Sequence, residues 1–237
     1  MTNFKLSSAP CAERHFIGSN SMSASSSLYD LVRELERVYT RPFDPRNFVL
    51  RARDLLLTFS VEPGDVAAFV QERWDTHSCL PHLVDTDRPP YLIDLHVHTD
   101  WCLRATYWPP SSETEWRDQP HSHFGHIATT AITPTAYRVR LFDRLPSRSA
   151  EGSYQEADLS RGIVHVIHPE TIHEVLLPEV TAGVSLSVRS RAVVSESIEY
   201  DPVTRTVRPR SKSASDRKEE VLRRLGDVVA SIQETSS

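Results

Sequence analysis

The chain has 237 residues, of which 39% are hydrophobic and 25% charged, a balance typical of a globular protein with one main core. A net charge of -5 and an isoelectric point near 6.1 give no long-range attraction for phosphate backbones or anionic lipid, so we expect no nucleic-acid or membrane partner. Cys11, Cys79 and Cys102 outline no disulfide framework, and no secretory signal or membrane-length apolar run is present, so we expect a soluble, cytoplasmic protein.

The N-terminal part of the chain is predicted to be helical after a polar tail. Residues 1–26 end in "SNSMSASSS", a composition typical of a mobile tail. Within residues 27–90, three segments carry apolar residues at helical spacing and are separated by turns that contain proline. We expect an N-terminal cap of three helices without a catalytic role: "SLYDLVRELERVY", "RNFVLRARDLLLTF" and "EPGDVAAFVQERW".

Residues 91–206 change to short apolar runs divided by Pro, Gly, Asp and Ser, a spacing that favours an all-β sandwich or barrel. Neither a glycine-rich phosphate loop nor a GxSxG nucleophile turn is present, which sets aside the common nucleotide-binding and serine-hydrolase functions. The predicted strands are "YLIDLHVH", "WCLRATYW", "GHIATTAI", "AYRVRLF", "GIVHVIH", "HEVLL", "GVSLSVRS" and "SESIEY".

The C-terminal part is predicted to be a linker followed by one helix. Residues 207–215 belong to "RTVRPRSKSASDRK", whose serine and proline content indicates a solvated linker rather than a binding patch. Residues 216–234 return to helical spacing, and we expect this helix to pack on the outside of the barrel.

A histidine pair in the predicted β region is the first candidate for chemistry. In "QPHSHFGHIATT", His121 and His123 are two residues apart, so on a strand their imidazoles point to the same face, roughly 6.6 Å apart along it. Such a pair alone is weak evidence, because it is more often a surface pair or a hydrogen-bonded core pair than a metal site.

A second motif lies downstream in "GIVHVIHPETIHEV", where Gly162 precedes a strand, Pro169 lies in a turn and His173 opens the next strand. These three residues resemble the second cupin motif, and "PHSH" at 120–123 resembles the first. The resemblance implies a double-stranded β-helix, or jelly-roll, barrel with N-terminal and C-terminal helices. It also implies that both histidines of "PHSH" and His173 bind one metal ion.

The predicted ligand set contains no carboxylate, because Ile127 and Ala128 stand where the first cupin motif continues to a glutamate. Three neutral imidazoles leave a divalent ion with its full charge and open positions, which favours Fe(II) with an anionic substrate and dioxygen. Zinc, nickel, manganese and copper are the alternative ions. Within the cupins, this arrangement is similar to the cysteine dioxygenase family of thiol dioxygenases.

The resemblance to that family covers residues 28–210 through short motifs, "WCLRATYWPP" and "GVSLSVRSRAVVSESIEYDPVTRTV" among them, and it has clear departures. Ser187 stands where the family has a histidine, and Arg189 where it has the active-site tyrosine. Ile127 occupies the position of the crosslinking cysteine of some members, and Ile93 that of a carboxylate-binding arginine. These departures argue against ordinary cysteine dioxygenation.

Strand parity predicts which other side chains face the site. Ser185, Ser187 and Arg189 share one face of their strand, and the resemblance implies that Ser185 faces the metal. Arg104, Thr106 and Trp108 likewise share one face of their strand. If both faces point inward, Arg104 and Arg189 would together hold a carboxylate or sulfonate group. The alternative is that each arginine extends to a barrel mouth or pairs with an internal acid. The predicted substrate-binding set is Arg104, Thr106, Trp108, Ser185 and Arg189.

The remaining histidines have competing roles. His126 is a candidate general acid or base, or a fourth ligand, with a loop or supporting role as the alternative. His96 and His98 form a second HxH, but we expect them on the solvent side or against a helix, because Ile93, Leu95 and Val97 alternate with them. His165 and His168 either orient a metal ligand or are ordinary strand histidines.

Together these features predict a mononuclear non-haem iron oxygenase. We expect it to act with dioxygen on a small thiol or amino-acid-like anion, in a specialised biosynthetic reaction, as a monomer or homodimer. His121, His123 and His173 are the predicted metal ligands, and His126, Arg189 and Ser187 the predicted catalytic group. The alternatives are a metal-dependent lyase, isomerase or cyclase without oxygen chemistry, and a non-catalytic ligand-binding cupin.

Overall fold

The computed structural model describes residues 26–75, 82–84, 89–114 and 117–209. The predicted tail up to residue 25 and the predicted C-terminal helix at 216–234 lie outside the described residues. Two strands extend beyond the predicted β region of residues 91–206. His82–Val84 forms a strand inside the predicted cap at 27–90, and Thr206–Pro209 forms a strand where we predicted a linker from residue 207.

Three helices begin the described chain, as predicted. The second is fixed by Asp44, whose carboxylate accepts the backbone N–H groups of Arg46 and Asn47, both at 3.1 Å. Pro45 follows at the first helical position, where its missing N–H costs nothing. No helix among the described residues is long and apolar enough to cross a bilayer. The helices are α1 (Ser26–Val38), α2 (Pro45–Thr58) and α3 (Pro63–Asp75).

The rest of the described chain is almost entirely β-structure. The strands are β1 (His82–Val84), β2 (Tyr91–Val97), β3 (Trp101–Trp108), β4 (Ile127–Ala131), β5 (Thr135–Arg144), β6 (Ser153–Ser160), β7 (Val164–Ile167), β8 (His173–Leu176), β9 (Gly183–Ser190), β10 (Ile198–Asp201) and β11 (Thr206–Pro209). The eight predicted strands are therefore present, and all of the ladders that join the strands are antiparallel.

The larger sheet has six strands in the order β1-β2-β3-β9-β4-β7, and its two faces differ in polarity. On the outer face, buried Leu103 and Leu186 belong to the same apolar cluster as Leu28 of α1 and Phe69 of α3. On the inner face, the β3 and β9 side chains are mostly polar, as in the cross-strand pair Arg104↔Ser187. Helix packing therefore stabilises the outer face and leaves the inner face for a polar interior.

A second sheet covers that inner face. It contains β6-β5-β8, and residues 120–122 connect it to the β10-β11 hairpin. His121 exchanges two backbone hydrogen bonds with His173 at 2.8 and 2.9 Å, while Ser122 N–H donates to the Ile198 carbonyl at 2.9 Å. Trp108 of β3 packs on Tyr137 of β5 across the interior, with ring centroids 4.5 Å apart. The predicted mainly β architecture of antiparallel sheets with N-terminal helices is confirmed.

The strand β6 is absent from the sequence-based prediction. Its sequence "SYQEADLS" lacks the apolar alternation that marks a half-buried strand, and most of its side chains are exposed. Charged pairs with β5 accompany the ladder instead: Arg138 donates to Asp158 at 3.0 Å and Arg140 to Glu156 at 2.8 Å. An exposed strand of this kind is defined by its neighbour rather than by its own hydrophobicity.

Candidate metal centre

Three histidines from two segments meet at the start of β8. His121 and His173 lie opposite each other in the backbone bridge, so their rings are held on one side of it, with centroids 4.6 Å apart. His123, two residues further along an extended segment that is not part of a strand, completes the cluster. The Nε2 atoms of His123 and His173 are 3.2 Å apart. One ligand atom from each ring lies within 4.8 Å of the others, and no other such group of three was found among the described residues.

The outer ring nitrogens of two of these histidines have fixed partners. His121 Nδ1 lies 2.8 Å from the Gln119 carbonyl oxygen and 3.4 Å from an Asp118 carboxylate oxygen. His173 Nδ1 lies 3.4 Å from the Thr171 carbonyl oxygen. A proton on each Nδ1 satisfies these acceptors and leaves the Nε2 lone pairs for a metal, which is the usual arrangement of metal-binding imidazoles.

Asp118 is held as a carboxylate beside His121. Burial alone would raise its pKa, but the charge and hydrogen bond of His121, with the Val175 N–H that donates at 2.8 Å, keep the pKa of Asp118 below its usual value. Sequence analysis missed this residue. Its position three residues before His121 in "DQPH" is the only signal that the sequence offers.

The cluster meets two requirements of a transition-metal site. Imidazole nitrogens bound to a common ion at about 2.0–2.1 Å lie roughly 3 Å or slightly more from each other, which matches the 3.2 Å between His123 and His173. The ligands must also be neutral. Burial, followed by the charge on His121, lowers the pKa of His173 to about 3, so this ring is neutral at physiological pH.

His123 has a different outer partner, the side chain of Arg189. The arginine Nη2 lies 3.2 Å from His123 Nδ1, and a guanidinium can only donate, so Nδ1 is the acceptor here. In the neutral ring the proton is then on Nε2, where it is directed at His173. Coordination through His123 Nε2 moves that proton to Nδ1 and removes the acceptor for Arg189. Metal binding and the His123–Arg189 hydrogen bond are therefore mutually exclusive.

The predicted substrate-binding residues of β9 and β3 lie on the inner face of the larger sheet, and of these Arg189 contacts a histidine of the cluster. Val184, Leu186 and Val188 pack toward the helices, which confirms the predicted parity of β9. Trp108 Nε1 donates to Ser185 Oγ at 2.9 Å, which fixes both side chains. The inner-face side chains Thr106, Ser185 and Ser187 are all buried.

Arg104 forms a buried ion pair with Asp94, the arrangement given above as the alternative to substrate binding. Its Nε and Nη2 atoms donate to the two carboxylate oxygens at 2.6 and 3.3 Å. Burial alone would lower the pKa of Arg104, but the hydrogen bond and charge of Asp94 hold it above its usual value. A β-bulge between Asp94 and His96 brings this about, because it places Asp94 opposite Arg104 and His96 opposite Leu103 on the other face.

The other histidines that the structure describes do not belong to the cluster. His96 Nε2 is 2.9 Å from a Glu36 carboxylate oxygen on α1, and His98 packs against Tyr39 and Trp101, so the predicted helix contact of this pair is confirmed. His126 Nδ1 lies 3.1 Å from His168 Nδ1 in a surface cleft. The acid–base role of His126 stays a prediction.

Tyr137 is a further interior residue that sequence analysis missed. It is buried, and burial raises its pKa to about 12, while the charge of Arg189 and a hydrogen bond with Thr129 act to lower it. Its ring packs on Trp108. In the sequence Tyr137 is one strand residue among many, and only the cross-sheet packing distinguishes it.

Fold and site together define a mainly β protein with two antiparallel sheets and a buried three-histidine candidate metal centre. No protein-family model and no curated protein matches the chain. Solved structures do. The chain is similar to TT1209 from Thermus thermophilus, with 14% identity over 45% of this chain and 90% of that one and a TM-score of 0.34.

Two further solved structures are similar. One is an RmlC-like cupin from Shewanella frigidimarina, with 12% identity over 48% of this chain and 86% of that one and a TM-score of 0.34. The other comes from the crystal structures of the DMSP lyases RdDddP and RnDddQII, with 11% identity over 73% of this chain and 96% of that one and a TM-score of 0.39. At these TM-scores the likeness says nothing about the activity of this chain.

Proposed function

We propose that this protein is a mononuclear metal-dependent oxygenase that acts on a small anionic substrate. The observation that carries the proposal is the cluster of His121, His123 and His173, with its ligand atoms within 4.8 Å and no carboxylate among them. Three neutral ligands leave the charge of a divalent ion uncompensated, so an anionic substrate is the natural partner. Fe(II) is the proposed ion, with zinc, nickel, manganese and copper as alternatives.

When bound, Fe(II) would supply open coordination positions for substrate and dioxygen together with redox chemistry. The protein side chains then hold the ligands and the substrate. The Gln119 carbonyl accepts from His121 Nδ1, with the Asp118 carboxylate 3.4 Å from the same nitrogen, and the Thr171 carbonyl accepts from His173 Nδ1, so both rings present Nε2 to the ion. Their contribution is to fix the ring tautomers and orientations before any substrate arrives.

Arg189 is the proposed anion-binding residue. Its Nη2 atom lies 3.2 Å from His123 Nδ1, so its guanidinium would lie next to a substrate bound to the ion. A guanidinium binds a carboxylate or sulfonate through two parallel hydrogen bonds. In this proposal the charge of Arg104 is balanced by Asp94, and Arg104 shapes the interior wall rather than binding the anion directly.

The rest of the pocket wall supports a small, partly apolar substrate. The hydrogen bond between Trp108 and Ser185 holds the indole as a rigid apolar surface, and Ser187 and Thr106 add hydroxyl groups beside it. Ser187 and Arg189 replace the histidine and tyrosine of the thiol dioxygenases that the sequence resembles. We therefore propose a thiol or amino-acid-like substrate in a specialised biosynthetic reaction rather than cysteine breakdown.

A second candidate function keeps the metal and omits oxygen. Tyr137 favours it, because its phenol is buried in the interior against Trp108 and is a candidate hydrogen-bond donor to a substrate in a redox-neutral lyase, isomerase or cyclase reaction. A non-catalytic ligand-binding protein is the third alternative. It predicts ligand binding that is unchanged in the His173→Ala variant.

Metal analysis coupled to oxygen uptake tests these functions. Protein purified without a metal-binding tag is loaded anaerobically with Fe(II) and given a panel of small thiols and amino acids. Stoichiometric iron with substrate-dependent oxygen uptake, both lost in His173→Ala and kept in His96→Ala, is the expected result. Substrate turnover without oxygen uptake would instead support the redox-neutral reaction, and a protein that binds no metal would overturn both enzymatic functions.

A further inference from the structure

A second pair of histidines lies at the end of the β4–β7 ladder. The last paired residues of that ladder are Ile127 and Ile167, so His126 and His168 occupy the next positions outward, one on each chain segment. The backbone of His126 is fixed on its other side, because its N–H donates to Ser190 Oγ at 3.0 Å and its carbonyl accepts the Ser190 N–H at 2.9 Å. The two imidazoles are thus brought together by sheet register rather than by flexible loops.

The spacing of this pair resembles that of the three-histidine cluster. His126 Nδ1 and His168 Nδ1 are 3.1 Å apart, close to the 3.2 Å between the Nε2 atoms of His123 and His173. Two imidazole nitrogens on one first-row ion require a separation of this size. The rings are nearly perpendicular, at 87°, and both are half-buried. Neither histidine belongs to the group that could bind the proposed iron.

A carboxylate is also present at the cleft, although its oxygens do not lie within 4.8 Å of both rings. His168 begins a tight turn in which the Thr171 N–H donates to the His168 carbonyl at 3.0 Å, and buried Pro169 and exposed Glu170 form its centre. Glu170 lines the same cleft of about 540 Å³ as both histidines, and its negative charge acts on His126. Burial, followed by the charge of His168, lowers the pKa of His126.

We propose that His126 and His168 form a second metal site, separate from the three-histidine cluster, that binds Zn²⁺, with exposed Glu170 as the third ligand once its side chain turns toward the two rings. Two imidazoles and one carboxylate are a ligand set that zinc accepts, with a fourth position open to the cleft. Arg46, on the cleft wall at the start of α2, would face an anion or hydroxide in that position. The alternative role of the pair is a simple hydrogen bond between two imidazoles.

A zinc titration of tag-free, metal-depleted full-length chain tests the proposal by stoichiometry. We expect two equivalents in the wild type, one in His168→Ala, one in His173→Ala and none in the double variant, with Glu170→Gln weakening only the site that His168→Ala removes. His96→Ala is the matched control, since it removes an imidazole from another His–Glu contact. Circular dichroism melts verify that each variant is folded.

The outcomes separate this site from the proposed function. One equivalent in the wild type, abolished by His173→Ala and kept by His168→Ala, would overturn the second site and leave the three-histidine cluster intact. One equivalent that His168→Ala abolishes and His173→Ala keeps would support the second site and count against the oxygenase proposal. Two equivalents in His168→Ala would place the second ion elsewhere and so overturn the proposal.

Discussion

The chain contains two HxH segments with the same spacing and very different surroundings. His121 and His123 meet a third imidazole, His173, because a backbone bridge brings a distant segment alongside. His96 and His98 instead meet a glutamate and two aromatic rings beneath α1. Two imidazoles at this spacing are therefore only half of a site. The two segments differ in what the fold places beside them. The first has His173 as a third imidazole and the Gln119 carbonyl as the acceptor at the outer nitrogen of His121.

The largest expected difference between the two segments is in metal content. His173→Ala should reduce bound iron and oxygen uptake to background, because two imidazoles remain on an ion that needs three. His96→Ala should leave both unchanged. Elemental analysis of the two variants, with thermal melts to verify folding, makes the comparison. Loss of iron in His96→Ala would show that the wrong HxH has been assigned.

The metal-free protein should also show the difference in the pH dependence of its stability. The pKa of His173 is about 3 in the fold and about 6.5 when unfolded, so between these values only the unfolded chain binds the proton. The contribution of His173 to the free energy of unfolding is therefore fully present above pH 6.5. Below pH 6.5 the free energy of unfolding falls by up to about 1.4 kcal/mol per pH unit.

Urea unfolding of the metal-free wild type, His173→Gln and His96→Gln between pH 4.5 and 7 measures this effect. We expect a flatter profile for His173→Gln than for the wild type, and a profile for His96→Gln that follows the wild type. If His173→Gln and the wild type ran parallel, burial of a neutral His173 would be contradicted.

Arg189 distinguishes the segments at the level of a single contact, since only His123 has a guanidinium on its outer nitrogen. Arg189→Met should raise the half-saturating substrate concentration about 10- to 100-fold, the loss expected for hydrogen bonds to a charged group. It should also tighten metal binding. Without the Arg189 donor at Nδ1, the ring proton of His123 can occupy Nδ1 and leave Nε2 for the metal. Weaker metal binding in this variant would contradict the proposed exchange.

Substrate titrations and metal competition assays of Arg189→Met need a control that loses an arginine nearby. Arg191 is suitable, because it is two residues further along the chain and its side chain is 56% exposed. It forms an ion pair with Asp100 at 2.8 Å. Arg191→Met should change neither constant.

Much of the fold was predictable because its strands are apolar on at least one face. The eight predicted strands are present, and β9 has its small and apolar residues on the predicted faces. The exposed β6 was not predictable, since its residues satisfy no periodicity of their own. Hydrophobic patterning therefore identifies strands that pack against a core and misses strands that are paired by charge.

The site was predictable only where sequence spacing carries it. The three histidines were identified from two motifs, but the Asp94–Arg104 pair depends on a bulge, and the His126–His168 pair depends on ladder register. Neither a bulge nor a register can be deduced from one strand alone. Asp118 was missed for a similar reason, because its role beside His121 depends on the path of an irregular segment that no periodicity marks.

The smallest expected effect concerns the segment that binds no metal. The His96–Glu36 contact joins β2 to α1 at 2.9 Å, but the Glu36 side chain is 42% exposed, and exposed pairs of this kind stabilise by about 0.2–1 kcal/mol. A double-mutant cycle of His96→Ala and Glu36→Ala, followed by urea unfolding, should give a coupling energy within that range. A coupling energy near zero would mean that the packing of the helix, and not the His96–Glu36 pair, holds α1 on the sheet.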